Sequence, residues 1–513
     1  MIQRFDHPQA LAEWLRARVA GELRCDSRRV QADDGFVAWP GGVHDARSFV
    51  PQALDDGAAA AVVEAQGLES WGPWDDRVVA LHELKAHAGD VAAAFYQHPM
   101  RDMSVVAITG TNGKTSTAWW LAQLLCRLER PCAIVGTLGL GTPNSDMGEW
   151  TWEPTGLTTP DPVMLHSQSR RWVRAGVQAC AVEASSIGLV EGRLNGAHLR
   201  VAVFTNFTQD HLDFHGDMAS YWAAKASLFD WPTLESVVIH IDDPKGPVLQ
   251  AAWADRLQDV WTVSADEQRT DAARLQVRGL SVHAAGQRFD LIEHDIHGAE
   301  VGHWRVDCPL LGDYNRVNLL CVLASVRALD VDMDRAVAMC SDLTPVPGRL
   351  QPVSTGQSAE PLALVDYAHT PDAVEHLLRV ARDVADRRGG ALWAVLGCGG
   401  DRDASKRPLM AAAAERGADR VVLTSDNPRS ESPASILEAM AAGLLAKGKA
   451  VLEIDRAQAI GLALQAANPN DVVVIAGKGH EDYQEVAGVR HPFSDARVAL
   501  AALQQRAEQG ARS

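Results

Sequence analysis

Thr109-Gly110-Thr111-Asn112-Gly113-Lys114-Thr115-Ser116 stands between a short β-branched run at 105–108 and a stretch, 114–128, in which Leu121, Leu124, Leu125 and Leu128 fall at helical spacing. Strand, glycine loop and helix in that order make a phosphate site. Glycines let backbone N–H groups approach phosphate oxygens, the helix N-terminus adds a favourable dipole, Lys114 reaches terminal phosphates, and the Thr115 hydroxyl can ligate Mg²⁺. The pattern departs from G-x-x-x-x-G-K-[ST], because Ile108 occupies the first glycine position and leaves the shorter G-x-x-G-K-T. A plain glycine turn before a helix would account for the glycines, but not for Lys-Thr directly after them.

Working outward, β-branched runs alternate with helical stretches from about residue 100 onward, the pattern of parallel α/β architecture. Residues 179–182 and 201–204 read as strands flanking the loop, and the first hundred residues are also mixed α/β, with strands at 35–38 and 59–63. Boundaries near 102 and at Pro345-Val346-Pro347-Gly348 divide the chain into spans 1–102, 103–347 and 348–513. In the last span, strands at 362–365, 392–396, 420–423 and 472–476 each run into a polar cluster. These are Asp366-Tyr367-Ala368-His369, Gly397 to Asp403, Ser425-Asp426-Asn427-Pro428-Arg429 and Gly477-Lys478-Gly479-His480-Glu481. Ends of parallel strands share one edge, so the four clusters are expected at one ligand site.

With 513 residues, roughly three domains are expected. Composition is that of a globular protein, 47% hydrophobic and 22% charged, and no apolar run approaches the roughly 20 residues of a membrane span. The N-terminus is polar and charged, without a secretory signal, which places the chain in the cytoplasm as an expectation. Eight cysteines without a Cys-x-x-Cys pair read as reduced thiols. A net charge of −18 without a basic patch excludes a general nucleic-acid partner.

Three further residues suit a metal and a transferring phosphoryl group. Glu183 ends a strand in Val182-Glu183-Ala184-Ser185-Ser186, and His211 follows another in Asp210-His211-Leu212-Asp213. Mg²⁺ prefers oxygen ligands, so Glu183 with the Thr115 hydroxyl is a minimal set, and His211 suits a second ion. Each alone is more often a solvated or capping residue. Lys225 shares a helical face with Trp222, Ala226 and Phe229. Its ammonium either snorkels to water or is desolvated, and a desolvated, neutral amine can take up CO₂ as a carbamate able to bind metal.

Taken together, these motifs resemble the Mur ligase family across nearly the whole chain. The resemblance runs from Asp26-Ser27-Arg28 through Gly113-Lys114-Thr115, Asp210-His211-Leu212-Asp213, Asn315, Asn318, Gly348-Arg349 and Asp366-Tyr367-Ala368-His369-Thr370-Pro371-Asp372 to Gly477-Lys478-Gly479-His480-Glu481. It implies a three-domain α/β protein with a central P-loop ATPase domain, flanked by an N-terminal domain for UDP-MurNAc and a C-terminal Rossmann-like domain for an amino acid. ATP would phosphorylate the γ-carboxylate of UDP-MurNAc-L-Ala-D-Glu, and an amine would displace phosphate, a step of peptidoglycan precursor synthesis on which cell shape and division depend. By the same resemblance, Gly110, Thr111, Asn112, Gly113, Lys114, Thr115 and Ser116 bind ATP, with Asn315, Arg349 and Asp366 at adenine and ribose. Thr115, Glu183, His211 and Lys225, the last as N6-carboxylysine, would hold Mg²⁺. Lys114, Lys225, His211 and Glu183 would serve catalysis in a monomer. Ser27, Thr158, Thr159, Ser185, Glu191 and Arg193 would contact the sugar peptide.

Asp426-Asn427-Pro428-Arg429 matches the family signature for meso-diaminopimelate as the incoming amino acid, with Arg402, Gly477 and Glu481 as further contacts. Arg429 offers a planar fork to the distal carboxylate that lysine lacks, and Glu481 suits the distal ammonium. Without the wider match, a turn with a solvated arginine reads equally well. Two positions depart from the family: Ile187 replaces a common His, and Glu191 a frequent Gln, placing a carboxylate near an anionic substrate. Rival readings are a folylpolyglutamate synthetase-like ligase, to which Asp-Asn-Pro-Arg would be purposeless, and a non-catalytic nucleotide-binding regulator.

Overall fold

The loop strand, β1 (Ser104–Thr109), is buried on both faces, with Val105 to Ile108 wholly without exposure, as the middle of a parallel sheet requires. In the computed structural model, which describes residues 2–510 apart from 43, 145–149, 254–255, 257–258, 272, 284–285, 358 and 447–449, it lies inside an eleven-stranded sheet. Parallel neighbours β2 (Ala179–Glu183) and β3 (Val201–Phe204) flank it, with Ile108 opposite Glu183 and Thr109 opposite Phe204. Three strand ends therefore meet at one edge. Helix α1 (Lys114–Arg127) leaves the loop with Leu121, Leu124 and Leu125 buried. Helix α2 (Met218–Ala226) starts at Asp217, whose carboxylate accepts the Ser220 N–H at 2.7 Å.

Five parallel strands at the N-terminus form a second sheet in the order Gln3–Phe5, Val78–Leu81, Ala60–Glu64, Gly35–Ala38 and Leu23–Arg24. Its third strand runs one residue beyond the expected 59–63. There the buried Glu64 carboxylate accepts backbone N–H groups of Gln66, Glu83 and Leu84 at 2.9, 3.2 and 2.8 Å, so the acid is satisfied inside the fold.

The C-terminal sheet has six strands. Gln351–Val353 is antiparallel at one edge, followed by the parallel strands β4 (Leu362–Asp366), β7 (Val472–Ala476), β5 (Leu392–Cys398), β6 (Arg420–Ser425) and, at the other edge, Ala450–Leu452. Strands β4 to β7 are thus neighbours, and their polar clusters share an edge.

The chain forms two compact units, the first carrying both N-terminal sheets up to Leu343 and the second beginning in the main at Thr344. All eight cysteines are free, seven of them buried. No helix among the described residues is long and apolar enough to cross a membrane.

Within the first unit, the N-terminal sheet is locked to the central one at points too tight for a larger group. A Cβ on Gly89 would stand 2.0 Å from the Asn195 carbonyl oxygen. The Asn195 side-chain amide donates across the same contact to Ala86 O at 2.8 Å, and on the central side buried His166 places Nε2 3.1 Å from the Asn195 carbonyl oxygen. Burial pushes the His166 imidazole down to about 4 from 6.5. A folded value below the unfolded one means the contribution is intact above pH 6.5 and is lost as pH falls towards 4, by up to about 3 kcal/mol. His166→Gln should flatten the acid limb of urea stability between pH 6.5 and 4; an unchanged limb would show that other groups carry it.

Candidate active site

The loop is pinned by its own glycines and by the segment that follows β3. Gly110 (φ +147°) and Gly113 (φ +85°) adopt conformations suited to glycine, and a Cβ would meet Thr205 Oγ1 at 2.0 Å or Asn318 Oδ1 at 2.3 Å. The segment after β3 clamps the loop from outside. Thr205 Oγ1 donates to Asn112 O at 2.6 Å, Asn206 Oδ1 accepts Asn112 N–H at 2.8 Å, and Asn206 O accepts Thr111 N–H at 2.9 Å. Lys114 folds back, its ammonium donating to Gly110 O and Thr111 O at 2.9 and 2.8 Å. Ser116 follows in the first turn of α1.

Across the sheet edge, the Glu183 carboxylate is 1% exposed. It accepts from the Thr115 hydroxyl at 3.0 Å, from Thr137 N–H at 2.9 Å and from the Thr137 hydroxyl at 3.3 Å. Gly136 makes room, since a Cβ there would lie 2.1 Å from Glu183 Oε1. Thr137 Oγ1 in turn lies 3.2 Å from Thr158 Oγ1. The Thr159 hydroxyl donates to Glu183 O at 2.7 Å and lies 3.0 Å from Ser185 Oγ, while Arg193 donates to Thr159 O at 3.1 Å. One continuous network therefore joins the phosphate loop to Thr158, Thr159, Ser185 and Arg193. Ser27 sits apart, in a short turn capped by Asp26. The carboxylate of Glu191 is paired with Lys85 at 2.6 Å, so its charge is answered from the N-terminal span. Ile187 lies in the short helix Ser186–Val190 that Ser185 caps.

Lys225 takes the desolvated course. It is 1% exposed, its ammonium donating to Gly110 O at 2.6 Å and lying 4.5 Å from the Tyr221 ring centroid. Burial first, and the Lys114 charge second, push its pKa down to about 6. Tyr221 Oη lies 3.2 Å from Thr111 Oγ1. His211 is placed differently: half-exposed, at φ +50°, and 3.5 Å from Asp210. Among the described residues no hydrogen bond or ion pair links it to Thr115, Glu183 or Lys225, and no group of three His, Cys, Asp or Glu side chains suits a metal. The Thr115 hydroxyl and Glu183 carboxylate are nonetheless the oxygen donors a hard cation such as Mg²⁺ takes, so the residues present fit it. Asn315 belongs to this unit and is buried, with Oδ1 accepting from Asn318 at 3.3 Å.

In the second unit, Asp366 at the end of β4 accepts Leu350 and Ala368 N–H groups, each at 2.8 Å; burial raises its pKa. The Arg349 guanidinium lies 5.0 Å from the Tyr367 ring. After β6, Asp426 and Asn427 are buried and Pro428 leads into Arg429 at φ +51°, a costly backbone state for arginine. Arg429 donates to Gly400 O at 2.6 Å, and its N–H reaches Glu485 O at 3.0 Å. Gly477 abuts Asp426 so closely that a Cβ would stand 2.5 Å from Oδ2. Asn427 donates to Glu481 Oε2 at 2.7 Å, and Arg402 is exposed, its stem near Gly399. Sequence reasoning misses Thr137, Tyr221 and Lys478. Thr137 had one local signal, a polar residue directly after a strand ending in glycine.

Fold and site together define an ATP-dependent, amide-bond-forming ligase. The Mur ligase middle domain matches residues 108–326, and the Mur ligase glutamate ligase domain matches 348–479. A UDP-N-acetylmuramoyl-L-alanyl-D-glutamate--2,6-diaminopimelate ligase of Acidovorax sp. (strain JS42) is 48% identical over 97% of both chains. A solved ligase of the same description is 32% identical over 95% of both chains, with a TM-score of 0.67. A Mycobacterium tuberculosis folylpolyglutamate synthase, at 21% identity over 81% of this chain and 94% of its own with a TM-score of 0.57, shares the fold. The chain belongs to the Mur ligase family.

Proposed function

We propose that this chain joins meso-diaminopimelate to UDP-MurNAc-L-Ala-D-Glu at the expense of ATP, within the cytoplasm and as a monomer. The observation that carries the reading is the hydrogen-bonded path from Thr115 through Glu183 and Thr137 to Thr158, with Thr159, Ser185 and Arg193 beside it. A nucleotide held by residues 110–116 and a carboxylate held by that cluster would meet across Glu183. The spans 1–102, 103–347 and 348–513 take the UDP end, the nucleotide and the amino acid respectively, with Ser27 serving the first.

The glycine loop orients the triphosphate, and Lys114 follows the negative charge that builds on the γ-phosphoryl group as the γ-carboxylate oxygen attacks it. Bound Mg²⁺ would offset that same charge, held by Thr115 and Glu183 with His211 and carbamylated Lys225 completing the set. The amine then attacks the acyl carbon, phosphate leaves, and the amide forms. Arg429 receives the distal carboxylate of the incoming amino acid, Glu481 its distal ammonium, and Asp426, Asn427, Pro428, Gly477 and Arg402 shape the place.

Phosphate release with ATP, Mg²⁺ and UDP-MurNAc-L-Ala-D-Glu should rise with meso-diaminopimelate and stay at background with L-lysine; stimulation by lysine would overturn the acceptor assignment, and silence with both the whole reading. Arg429→Ala should cut kcat/KM for meso-diaminopimelate by about 2 kcal/mol or more, roughly thirtyfold, because a guanidinium–carboxylate pair is lost while ATP binding is untouched. Lys225→Ala should abolish most turnover and regain part of it with added formate or acetate. Full activity without such rescue would remove the carbamate from the account.

A further inference from the structure

Lys478 is a charged side chain with no exposure at all, set between Gly477 (φ +119°) and Gly479 (φ +54°). An ammonium taken out of water costs several kcal/mol unless it is well paired, and hydrophobic replacement of buried ion pairs often stabilises a fold. Packing alone therefore gives no reason for a lysine here. Its ammonium donates to Glu481 Oε2 at 3.0 Å and to Asn427 Oδ1 at 3.1 Å. Asn427 closes the triangle, its Nδ2 donating to Glu481 Oε2 at 2.7 Å, while Asn427 Oδ1 also accepts the Glu485 N–H at 2.9 Å. Both oxygens through which Lys478 acts are thus fixed from a second side.

This triangle has a chemical consequence for Glu481. Oε2 is filled by two donors, whereas Oε1 accepts no hydrogen bond among the described residues, and the Glu481 side chain is 21% exposed against none for Lys478. The two donors on Oε2 hold the carboxylate in one orientation and leave Oε1 available to a ligand. We propose that Lys478 is a positioning residue for acceptor selection: it aims Glu481 Oε1 at the distal ammonium of a diamino dicarboxylic acid without itself touching the substrate. The inference rests on the assignment of Glu481 to the amino-acid site.

The test compares meso-diaminopimelate with 2-aminopimelate, which keeps both carboxylates and the reacting amine but lacks the distal ammonium. In the full-length protein, Lys478→Met should raise KM for meso-diaminopimelate by about tenfold or more, a charge-assisted hydrogen bond's worth. KM for 2-aminopimelate and for ATP should stay within about twofold, since neither involves Glu481. General damage to the fold would instead weaken both acceptors alike, and that result overturns the proposal. Glu481→Gln should lose the same preference. If it keeps the preference, Glu481 is not at the amino-acid site and the underlying reading fails; if it loses it while Lys478→Met does not, only the role of Lys478 fails. Should Lys478→Met not fold, Lys478→Met with Glu481→Gln leaves no unpaired buried charge. That double variant should match Glu481→Gln alone for both acceptors, and a further loss common to both would show that Lys478 acts independently of Glu481.

Discussion

The first unit is organised around one carboxylate that has been taken out of water. A buried carboxylate is tolerable only when hydrogen bonds or cations answer its charge. Glu183 draws its donors from Thr115 in the phosphate loop and from Thr137, just past the neighbouring strand Cys132–Gly136, so the acid fixes the distance between them. Glycines at 110, 113 and 136 are the spatial condition for this, since a methyl group at any of them would fall within 2.3 Å of Thr205, Asn318 or Glu183. The rest of the site is built outward: Thr137 to Thr158, and the Glu183 carbonyl to Thr159.

The elements that carry this arrangement were legible because they are locally consistent. Residues 105–108, 179–182 and 201–204 are short and apolar, and each appears as a strand extended by at most a residue or two. The helix expected at 114–128 ends one residue earlier, at Arg127. Parallel alternation also placed the four polar clusters of the last span on one edge, because neighbouring parallel strands must end together. Lys225 was ambiguous for a physical reason. A lysine beside tryptophan on a helix can lie either way, and only the partner, the Gly110 carbonyl, 115 positions distant, decides it.

What was not legible depends on contacts between distant segments. Thr137 acts through a backbone N–H and a hydroxyl, groups that every threonine has, and its one local signal, a place directly after a strand that ends in glycine, does not name its partner. The carboxylate of Glu191, puzzling beside an anionic substrate, is paired with Lys85 from the N-terminal sheet's own span. Lys478 sits in a motif read for its glycines and its glutamate, and its complete burial is a property of the folded turn. His211 is the reverse case, since its motif is plain while its ring, as folded, faces Asp210.

The proposed reaction turns on a single bond change, the transfer of a phosphoryl group onto the γ-carboxylate of the D-glutamyl substrate. Oxygen bookkeeping tests it directly. With both oxygens of the D-glutamyl γ-carboxylate labelled with ¹⁸O and the reaction run in ordinary water, an acyl phosphate leaves one labelled oxygen in each phosphate released and one in the new amide carbonyl. Phosphate carrying one ¹⁸O per amide formed is the predicted result, and unlabelled phosphate at full amide yield would contradict it.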